Sequence, residues 1–336
     1  MTLREIGKQL QLSASTISVC LYGSPEKLKI SPKTVKRVRE YAERIGYVPN
    51  ILARRLYNRE ASPPIGIIYK LDTATDRSMP ILNQTISRLN ERGREFIVQS
   101  CTQEGLLATC RVFLGMKIRQ VIIIGYTFEK MLKGFELLHD LELFIPDYVP
   151  DEGYEPVPAR CRCSCGQDRF LREFAKRILE LGEGPLVVDE NTGFVLEPGC
   201  VPPRAVLKIP DSTDLFSSGQ QIADRCERLV RSGKCRTLML HNDRIAIGLI
   251  EALLPRGIRI PEDLSVIGFN NSEFAPHAVM PLSTIALPIW DNVQLILNHL
   301  LDGADLPEYH QTHARFIPRR TTTPAFEALA SFQVSD

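Results

Sequence analysis

Residues 2–23, TLREIGKQLQLSASTISVCLYG, and residues 30–56, ISPKTVKRVREYAERIGYVPNILARRL, decide the fold at the start of this chain. In these two stretches Thr2, Ser13 and Ser31 each precede a run of apolar residues at helical spacing. Serine and threonine are preferred caps at the start of a helix. The pattern therefore predicts three short helices in this part of the chain.

The charge of the chain is unevenly distributed. Residues 1–60 carry 12 Lys and Arg against 5 Asp and Glu, whereas the rest of the chain carries 29 against 35. A basic segment attached to an acidic one is typical of a protein in which only the basic part meets the phosphates of nucleic acid. Three short helices with this charge indicate a helix-turn-helix DNA-binding domain.

The second predicted helix begins with small and mostly polar residues. In a helix-turn-helix the first residues of this helix face the base edges of the major groove. The hydroxyls of Ser13 and Thr16 are expected to bind phosphates, while Ala14 and Ser15 are expected to approach bases. The alternative is that these residues form only a helix cap and a solvated surface. The surrounding three-helix pattern and the charge favour the contact with DNA.

A short linker follows the three helices. Pro49 and Asn50 interrupt the helical pattern, and residues 51–57 suffice for one or two helical turns before Pro63 and Pro64. So short a helix is marginal in isolation, and it is expected to form only with a partner.

From Ile65 onward, apolar runs alternate with amphipathic segments. Two series of runs, separated by a Pro-, Gly- and Cys-rich stretch at residues 147–166, are expected to be buried parallel strands joined by helices. The runs are IGIIYKL, FIVQSC, QVIIIGY and LFIPDYV, then LVVDE, AVLKI, TLMLHN and LSVIGFN. An amphipathic helix at residues 289–301 and the run at residues 314–323 are expected to return to an earlier lobe. The sequence thus predicts a two-lobed α/β body with a cleft between the lobes.

Other signals exclude several classes of protein. No stretch approaches the length of a membrane span, and the first residues lack a signal peptide, which predicts a cytoplasmic protein without a membrane partner. The nine cysteines form an odd, scattered set and are expected to be free thiols. Cys161, Cys163 and Cys165 lack a fourth ligand for zinc, so no metal and no other cofactor is expected. No catalytic motif supports an enzyme.

The two opening stretches resemble the head of the LacI/GalR family of bacterial transcription repressors, most specifically in GYVPN followed by ARRL at residues 46–56. The resemblance implies that Ser18 and Val19 belong to the DNA-reading surface. It also implies a hinge helix at residues 51–56 that enters the minor groove as a symmetric pair, with Leu56 as the apolar wedge. The alternative is a plain linker helix with Leu56 packed on the body. The hinge residues assigned to DNA are Asn50, Ala53, Arg54 and Leu56.

The head departs from the family pattern at three places. Gln11 stands where the turn usually has glycine, Val19 stands where many members have arginine, and the loop before Ser31 is a few residues longer. The operator is therefore expected to differ from the one that is common in the family.

The far end of the chain also resembles this family. LMLHNDRIAIGLIEALLPRGIRIPEDLSVIGFNNSEFA, PLSTIALP and RFIPRRTTTP match its second lobe and closing segment. The resemblance implies the type I fold of periplasmic binding proteins, a small carbohydrate-like effector in the cleft, and a homodimer. Asn270 stands where many relatives have Asp, and the stretch between Gly182 and Gly219 lacks the Arg-x-x-Gly pattern whose arginine clamps the ligand. The cleft is therefore expected to be atypical.

Five residues are candidates for effector binding, namely Asp72, Tyr126, Asp243, Asn270 and Trp290. Asp72 and Tyr126 follow strands of the first lobe, at the edge where open α/β sheets bind ligands, and surface loops are the alternative. Asp243 is expected to cap a helix, to face the cleft, or both. Trp290 is expected to stack on a sugar ring or to pack in the core or an interface.

Together these observations predict an all-α helix-turn-helix domain at residues 1–48, a hinge and linker at residues 49–63, and an α/β body at residues 64–336. The first lobe is expected at about residues 64–150 and 289–318, and the second at about residues 160–288 and 319–336. The expected function is sequence-specific regulation of transcription, as a repressor controlled by a small effector. A stand-alone ligand-binding module of the periplasmic type, without a role on DNA, is the alternative.

Overall fold

A computed structural model describes residues 2–23, 25–47, 63–70, 75–102, 104–125, 140–148, 158–193, 206–210 and 214–334. The chain divides into two compact units, Met1–Pro63 and Pro64–Asp336. Each unit has a hydrophobic core of its own, as independently packed domains do. Among the described residues, no helix is both long enough and apolar enough to span a membrane.

The first unit contains the three predicted helices. They are α1 (Leu3–Leu10), α2 (Ala14–Tyr22) and α3 (Pro32–Arg44), with a short 3-10 helix at Pro25–Leu28 before the last of them. Thr2 forms a capping box with Glu5, and the side chains of Ser13 and Ser31 each accept a hydrogen bond from the first turn of their helix. The fully buried side chains at the centre of this unit are those of Ile6, Ile17, Cys20 and Val38.

The turn between α1 and α2 explains why Gln11 is unusual. Gln11 has the left-handed backbone conformation, with φ 52° and ψ 43°. The N–H of Leu12 donates to the carbonyl oxygen of Gly7 at 2.9 Å, which closes the end of α1. A residue with a Cβ pays about 1 kcal/mol for this conformation, whereas glycine adopts it without that cost.

We therefore expect Gln11→Gly to stabilise the head by about 0.5 kcal/mol, after the greater freedom of glycine in the unfolded chain is deducted. Amide hydrogen exchange of α1 in the intact chain should slow by about twofold. The matched control is Gln9→Gly, at an exposed position inside α1, where glycine costs about 1 kcal/mol and exchange should accelerate. Acceleration in both variants would contradict the assigned strain at Gln11.

The described residues of the second unit form two six-stranded sheets. The strands of the first sheet are β1 (Ile65–Lys70), β2 (Phe96–Cys101), β3 (Gln120–Ile124), β4 (Glu142–Ile145), β5 (Cys161–Ser164) and β11 (Tyr309–Gln311). Those of the second are β6 (Leu186–Asp189), β7 (Val206–Leu207), β8 (Thr237–Met239), β9 (Ser265–Phe269), β10 (Ser283–Ala286) and β12 (Arg315–Ile317). Their spatial orders are β11-β5-β4-β3-β1-β2 and β12-β10-β9-β8-β6-β7, and among the described strands only β12 is antiparallel to its neighbour.

Helices cover both faces of these sheets. They are α4 (Thr75–Glu91), α5 (Leu106–Gly115), α6 (Gln167–Glu180), α7 (Glu190–Gly193), α8 (Leu215–Gln221), α9 (Ala223–Arg231), α10 (Asp243–Leu253) and α11 (Ile289–Asp302). In the first lobe, Ile67 faces a core shared with Val293 of α11, whereas Ile68 faces a core shared with Phe113 of α5. Adjacent strand residues point to opposite faces, so a strand covered on both faces is apolar throughout.

The boundaries of the lobes differ from the expected ones at two places. Residues 161–164 were expected in the second lobe, but β5 pairs with β4 and β11 in the first sheet. Residues 315–317 were expected in the first lobe, but β12 pairs with β10 in the second sheet. Strand pairing decides which lobe a segment joins, and segments this short carry no local pattern that identifies their partner. The chain consequently crosses between the lobes after β5, after β10 and after β11.

Asn292 in α11 connects the segments at these crossings and is fully buried. Its Nδ2 donates to the carbonyl oxygen of Pro146 at 2.8 Å and to Sγ of Cys165 at 3.6 Å. Its Oδ1 accepts from the hydroxyl of Thr312 at 3.1 Å. Cys165 begins the first crossing, Asn292 follows the second, and Thr312 lies in the third, so one amide joins all three.

Candidate functional site

The start of α2 presents an exposed cluster of hydroxyl groups. Oγ of Ser13 lies 2.7 Å from Oγ of Ser15 and 2.8 Å from Oγ1 of Thr16, and it accepts from the N–H of Thr16 at 3.0 Å. Ser13 and Ser15 are exposed, and Ala14 and Thr16 are half-buried. The first turn of a helix has N–H groups and a positive dipole end that favour phosphate. The structure thus brings together these four predicted residues on one accessible edge.

Two other residues predicted to contact DNA are placed differently. Ser18 is 1% exposed and Val19 is 8% exposed. The reason is that α2 contacts both α1 and α3, so more than one of its faces is covered. This burial is unfavourable for direct contact with bases by Ser18 and Val19, and their role on DNA stays a prediction.

Arginines of α3 hold the three helices of the head together, while its lysines remain at the surface. Nη2 of Arg37 donates to the carbonyl oxygen of Leu10 at 2.6 Å, and Nε of Arg39 donates to that of Cys20 at 3.2 Å. Lys33 and Lys36 are exposed. Exposed cations on the head suit a phosphate backbone.

The end of α2 is joined to the residue that precedes the predicted hinge. The hydroxyls of Tyr22 and Tyr47 lie 2.7 Å apart. Burial and this hydrogen bond raise the pKa of Tyr47 to about 12. Six of the predicted site residues lie outside the described residues, namely Asn50, Ala53, Arg54, Leu56, Asp72 and Tyr126.

In the second lobe, Asp243 is an internal anchor. The cap of α10 is Asn242, whose side chain accepts from the N–H of Arg244 at 2.8 Å, so Asp243 does not have the expected capping role. Asp243 is 1% exposed, and its two oxygens accept from the N–H of Ser272 and the hydroxyl of Thr284, both at 2.6 Å. Burial raises the pKa of Asp243 to about 6. Its carboxylate therefore ties α10 to the sheet, and a contact of Asp243 with an effector stays a prediction.

Asn270 lies where it was expected, directly after β9 at the carboxyl end of the second sheet. Asn270 and Asn271 both have positive φ angles, 93° and 49°. Nη2 of Arg319 donates to Oδ1 of Asn271 at 2.7 Å, and Nη1 donates to the carbonyl oxygen of Leu282 at 2.6 Å. Two consecutive non-glycine residues in this region store backbone strain, which is common at ligand sites.

Sequence reasoning missed a pair at the same edge, formed by Asp189 and His241. Asp189 ends β6, His241 follows β8, and Nδ1 of His241 lies 3.1 Å from Oδ1 of Asp189. The only signal in the sequence is that each residue is a polar one directly after an apolar run. Their proximity follows from the pairing of β6 with β8, which the sequence does not reveal.

Trp290 and the clustered cysteines belong to the packing of the first lobe. Trp290 is half-buried and packs against the core around α11.

Sγ of Cys161 lies 3.6 Å from Sγ of Cys163, and both thiols are buried. The hydrogen bond with Cys161 and burial both raise the pKa of Cys163. Within the described ranges, no group of three or more His, Cys, Asp or Glu could hold a metal.

Comparisons with known proteins agree with this architecture. Residues 202–322 match the model of a periplasmic binding protein-like domain. A crystal structure of the lac repressor dimer bound to operator and the anti-inducer ONPF has a TM-score of 0.71 at 18% identity, covering 96% of this chain and 99% of that chain. A LacI-family regulator from Silicibacter pomeroyi has a TM-score of 0.72 at 20% identity, with the same coverage. At these identities the structures establish the fold alone.

Sequence similarity establishes the family of the chain as well as its fold. The HTH-type transcriptional repressor PurR of Vibrio atlanticus is 36% identical over 342 residues, which is 95% of this chain and 98% of that protein. The HTH-type transcriptional regulator AscG of Escherichia coli is 25% identical over 331 residues, or 90% of this chain and 93% of AscG. These relatives are regulators of transcription, not enzymes. With its helix-turn-helix head and two-lobed body, the chain belongs to the LacI family of transcriptional regulators.

Proposed function

We propose that this protein represses transcription as a homodimer that binds operator DNA in the cytoplasm through its helix-turn-helix head. The observation that carries the proposal is the accessible hydroxyl cluster of Ser13, Ser15 and Thr16 at the start of α2, within a segment of net positive charge. A homodimer would place two such edges on the two halves of a roughly palindromic operator.

The body would regulate this binding. A crystal structure of the lac repressor contains a dimer bound to both operator and the anti-inducer ONPF. In this chain, the site for a small effector would be the cleft between the two lobes of the body. A small molecule that favours one arrangement of the lobes would bias whether the two hinge segments form on DNA. We propose Asn50, Ala53, Arg54 and Leu56 as the hinge contacts, with Leu56 opening a central base step.

A gel shift on the promoter region of the protein's own gene, repeated over a range of salt concentrations, tests the proposal. Affinity should fall steeply as salt rises, because phosphate contacts release bound cations. Affinity independent of salt would contradict a head that contacts phosphates.

The variant Ser15→Asp separates DNA contact from folding. Aspartate in the first turn of a helix favours the helix dipole, so thermal unfolding should change little or move upward. The same charge would face phosphates and base edges, and affinity for the promoter should fall at least about tenfold, or roughly 1.4 kcal/mol. The matched control is Ala108→Asp, which adds one carboxylate to the exposed first turn of α5 in the body. Equal losses in both variants would contradict a contact at Ser15.

The alternative is a ligand-binding module without a role on DNA. Removal of residues 1–63 distinguishes the two, since these residues form a unit of their own. Loss of promoter binding is expected from the proposed function. If the full chain did not bind the promoter and removal of residues 1–63 left its function unchanged, the alternative would be supported.

A further inference from the structure

The chain leaves the last helix of the head through a defined turn. Helix α3 ends at Arg44, and Gly46 has a positive φ of 65°. The N–H of Gly46 donates to the carbonyl oxygen of Glu43 at 3.0 Å, and that of Tyr47 donates to the carbonyl oxygen of Ala42 at 2.9 Å. These two bonds form the Schellman motif, a common end of a helix at a left-handed glycine. The backbone of Tyr47 is therefore held at the end of α3.

A side-chain hydrogen bond joins this turn to α2. Tyr22, the last residue of α2, is 4% exposed, and its hydroxyl lies 2.7 Å from that of half-buried Tyr47. Neither hydroxyl has another hydrogen-bond partner among the described residues. Because a tyrosine side chain has only two torsions, a hydrogen bond between two packed rings restrains both backbones. The helix expected to read DNA is thus tied directly to the turn that precedes the predicted hinge.

Other contacts keep α2 in place without this link. Nε of Arg39 donates to the carbonyl oxygen of Cys20, and Ile17 and Cys20 are fully buried in the core of the head. The turn has less support, since no atom lies within 4 Å of the position that a Cβ on Gly46 would take. The ends of helices fray because their last carbonyl groups lack partners within the helix. Loss of the tyrosine hydrogen bond would therefore loosen the turn and leave α2 folded.

The position of this turn matters for the proposed function. Asn50, the first proposed hinge contact, follows Tyr47 by only three residues. Two DNA-contacting segments joined by a short link bind at a high effective concentration, and restraint of the link before binding reduces the entropy lost on DNA. Non-specific binding rests on the phosphate charges and does not need this arrangement. A restrained turn thus favours the operator over other DNA.

We propose that Tyr22 is a positioning residue for specific DNA binding. Its hydrogen bond with Tyr47 holds the start of the hinge at a fixed place relative to α2. The major-groove contacts of α2 and the minor-groove contacts of the hinge then form together on one DNA site. This inference rests on the proposed function and deepens it, because it names a residue that determines the preference for the operator.

The variant Tyr22→Phe in the full chain removes the hydroxyl and keeps the packed ring. Gel shifts should show promoter affinity lowered about fivefold, which corresponds to the net contribution of one hydrogen bond. Affinity for unrelated DNA of the same length should change less than about twofold. Partial unfolding of the head would instead lower both affinities by the same factor. The matched control is Tyr41→Phe, at another half-buried tyrosine of the head core, which should keep the parent affinities.

Double-mutant cycles test whether the tyrosines act as a pair and through the hinge. Tyr47→Phe should lower promoter affinity as much as Tyr22→Phe does, and the double variant should lose less than about twofold more than either single variant. Leu56→Ala should reduce promoter affinity by a smaller factor in the Tyr22→Phe protein than in the parent, because both changes weaken the contribution of the hinge.

Binding by the parent protein separates this inference from the proposed function. If the parent binds the promoter and Tyr22→Phe lowers both affinities equally, or lowers neither, the inference is overturned and the proposed function stands. Losses that multiply in either cycle overturn it in the same way, since they show that the residues act independently. If the parent does not bind the promoter, the proposed function fails and the inference fails with it.

Discussion

Replacing Gly248 by alanine is expected to destabilise the second lobe by about 2 kcal/mol or more. Gly248 lies in α10, which packs against α8. A Cβ on Gly248 would lie 2.1 Å from the carbonyl oxygen of Phe216, and a Cβ on Gly219 would lie 2.1 Å from that of Ile245. Backbone atoms cannot rotate aside as a side chain can. The two helices would have to separate and lose the contact between them.

The control is the same substitution at Gly115. This residue ends α5, and no atom lies within 4 Å of the position that its Cβ would take. Alanine there should stabilise the protein by about 0.5 kcal/mol, because it favours the helix and restricts the unfolded chain. Urea unfolding of both variants should give effects of opposite sign. A neutral or stabilising Gly248→Ala would contradict a backbone contact between α8 and α10.

Asp243→Ala is expected to destabilise the second lobe by about 3 kcal/mol. The substitution leaves the N–H of Ser272 and the hydroxyl of Thr284 without their acceptor, and it opens a cavity beside Gly268. The control is Asp263→Ala. Asp263 is paired with Arg259 at 2.6 Å near the surface, where an ion pair contributes less than about 1 kcal/mol.

The effect of Asp243→Ala should also depend on pH. Burial raises the pKa of Asp243 from 3.8 to about 6, so the folded protein binds this proton more tightly than the unfolded chain does. The contribution of the carboxyl to the free energy of unfolding is then complete below pH 3.8 and is lost as pH rises through 6. Urea unfolding should show a destabilisation about 1 kcal/mol greater at pH 5 than at pH 8. If the destabilisation caused by Asp243→Ala were the same at pH 5 and pH 8, Asp243 would be ionised in both the folded and the unfolded protein.

The fold was largely predictable because local signals agree with it. Thr2, Ser13 and Ser31 are the caps of the three head helices, and each long apolar run of the body contains a strand. Strand β5 was missed because residues 161–164 read as CRCS within a stretch rich in turn-forming residues. Its burial comes from β4 and β11, and β11 lies almost 150 residues further along the chain.

The candidate site was predictable only where it is local. The start of α2 follows from a cap and a helical period, so the place of Ser13 to Thr16 at a helix start was predictable from the sequence. Asp189 and His241 lie 52 residues apart, and only the order of the strands brings them together. The exchange of roles between Asn242 and Asp243 is a shift of one residue at a helix start, within the usual error of boundaries read from sequence.

The amide of Asn292 limits how this protein can be recombined with its relatives. Its partners Pro146, Cys165 and Thr312 come from three separate stretches, and all of them lie outside residues 166–287. A chimera that imports residues 166–287 together with residues 313–334 would keep the four residues in one parent. A junction between residues 292 and 312 would divide them and leave buried polar atoms from one parent facing a mismatched side chain from the other. A chimera can therefore exchange the second lobe by moving residues 166–287 and 313–334 together. Asn292 and its three partners then stay together in the parent that supplies the first lobe.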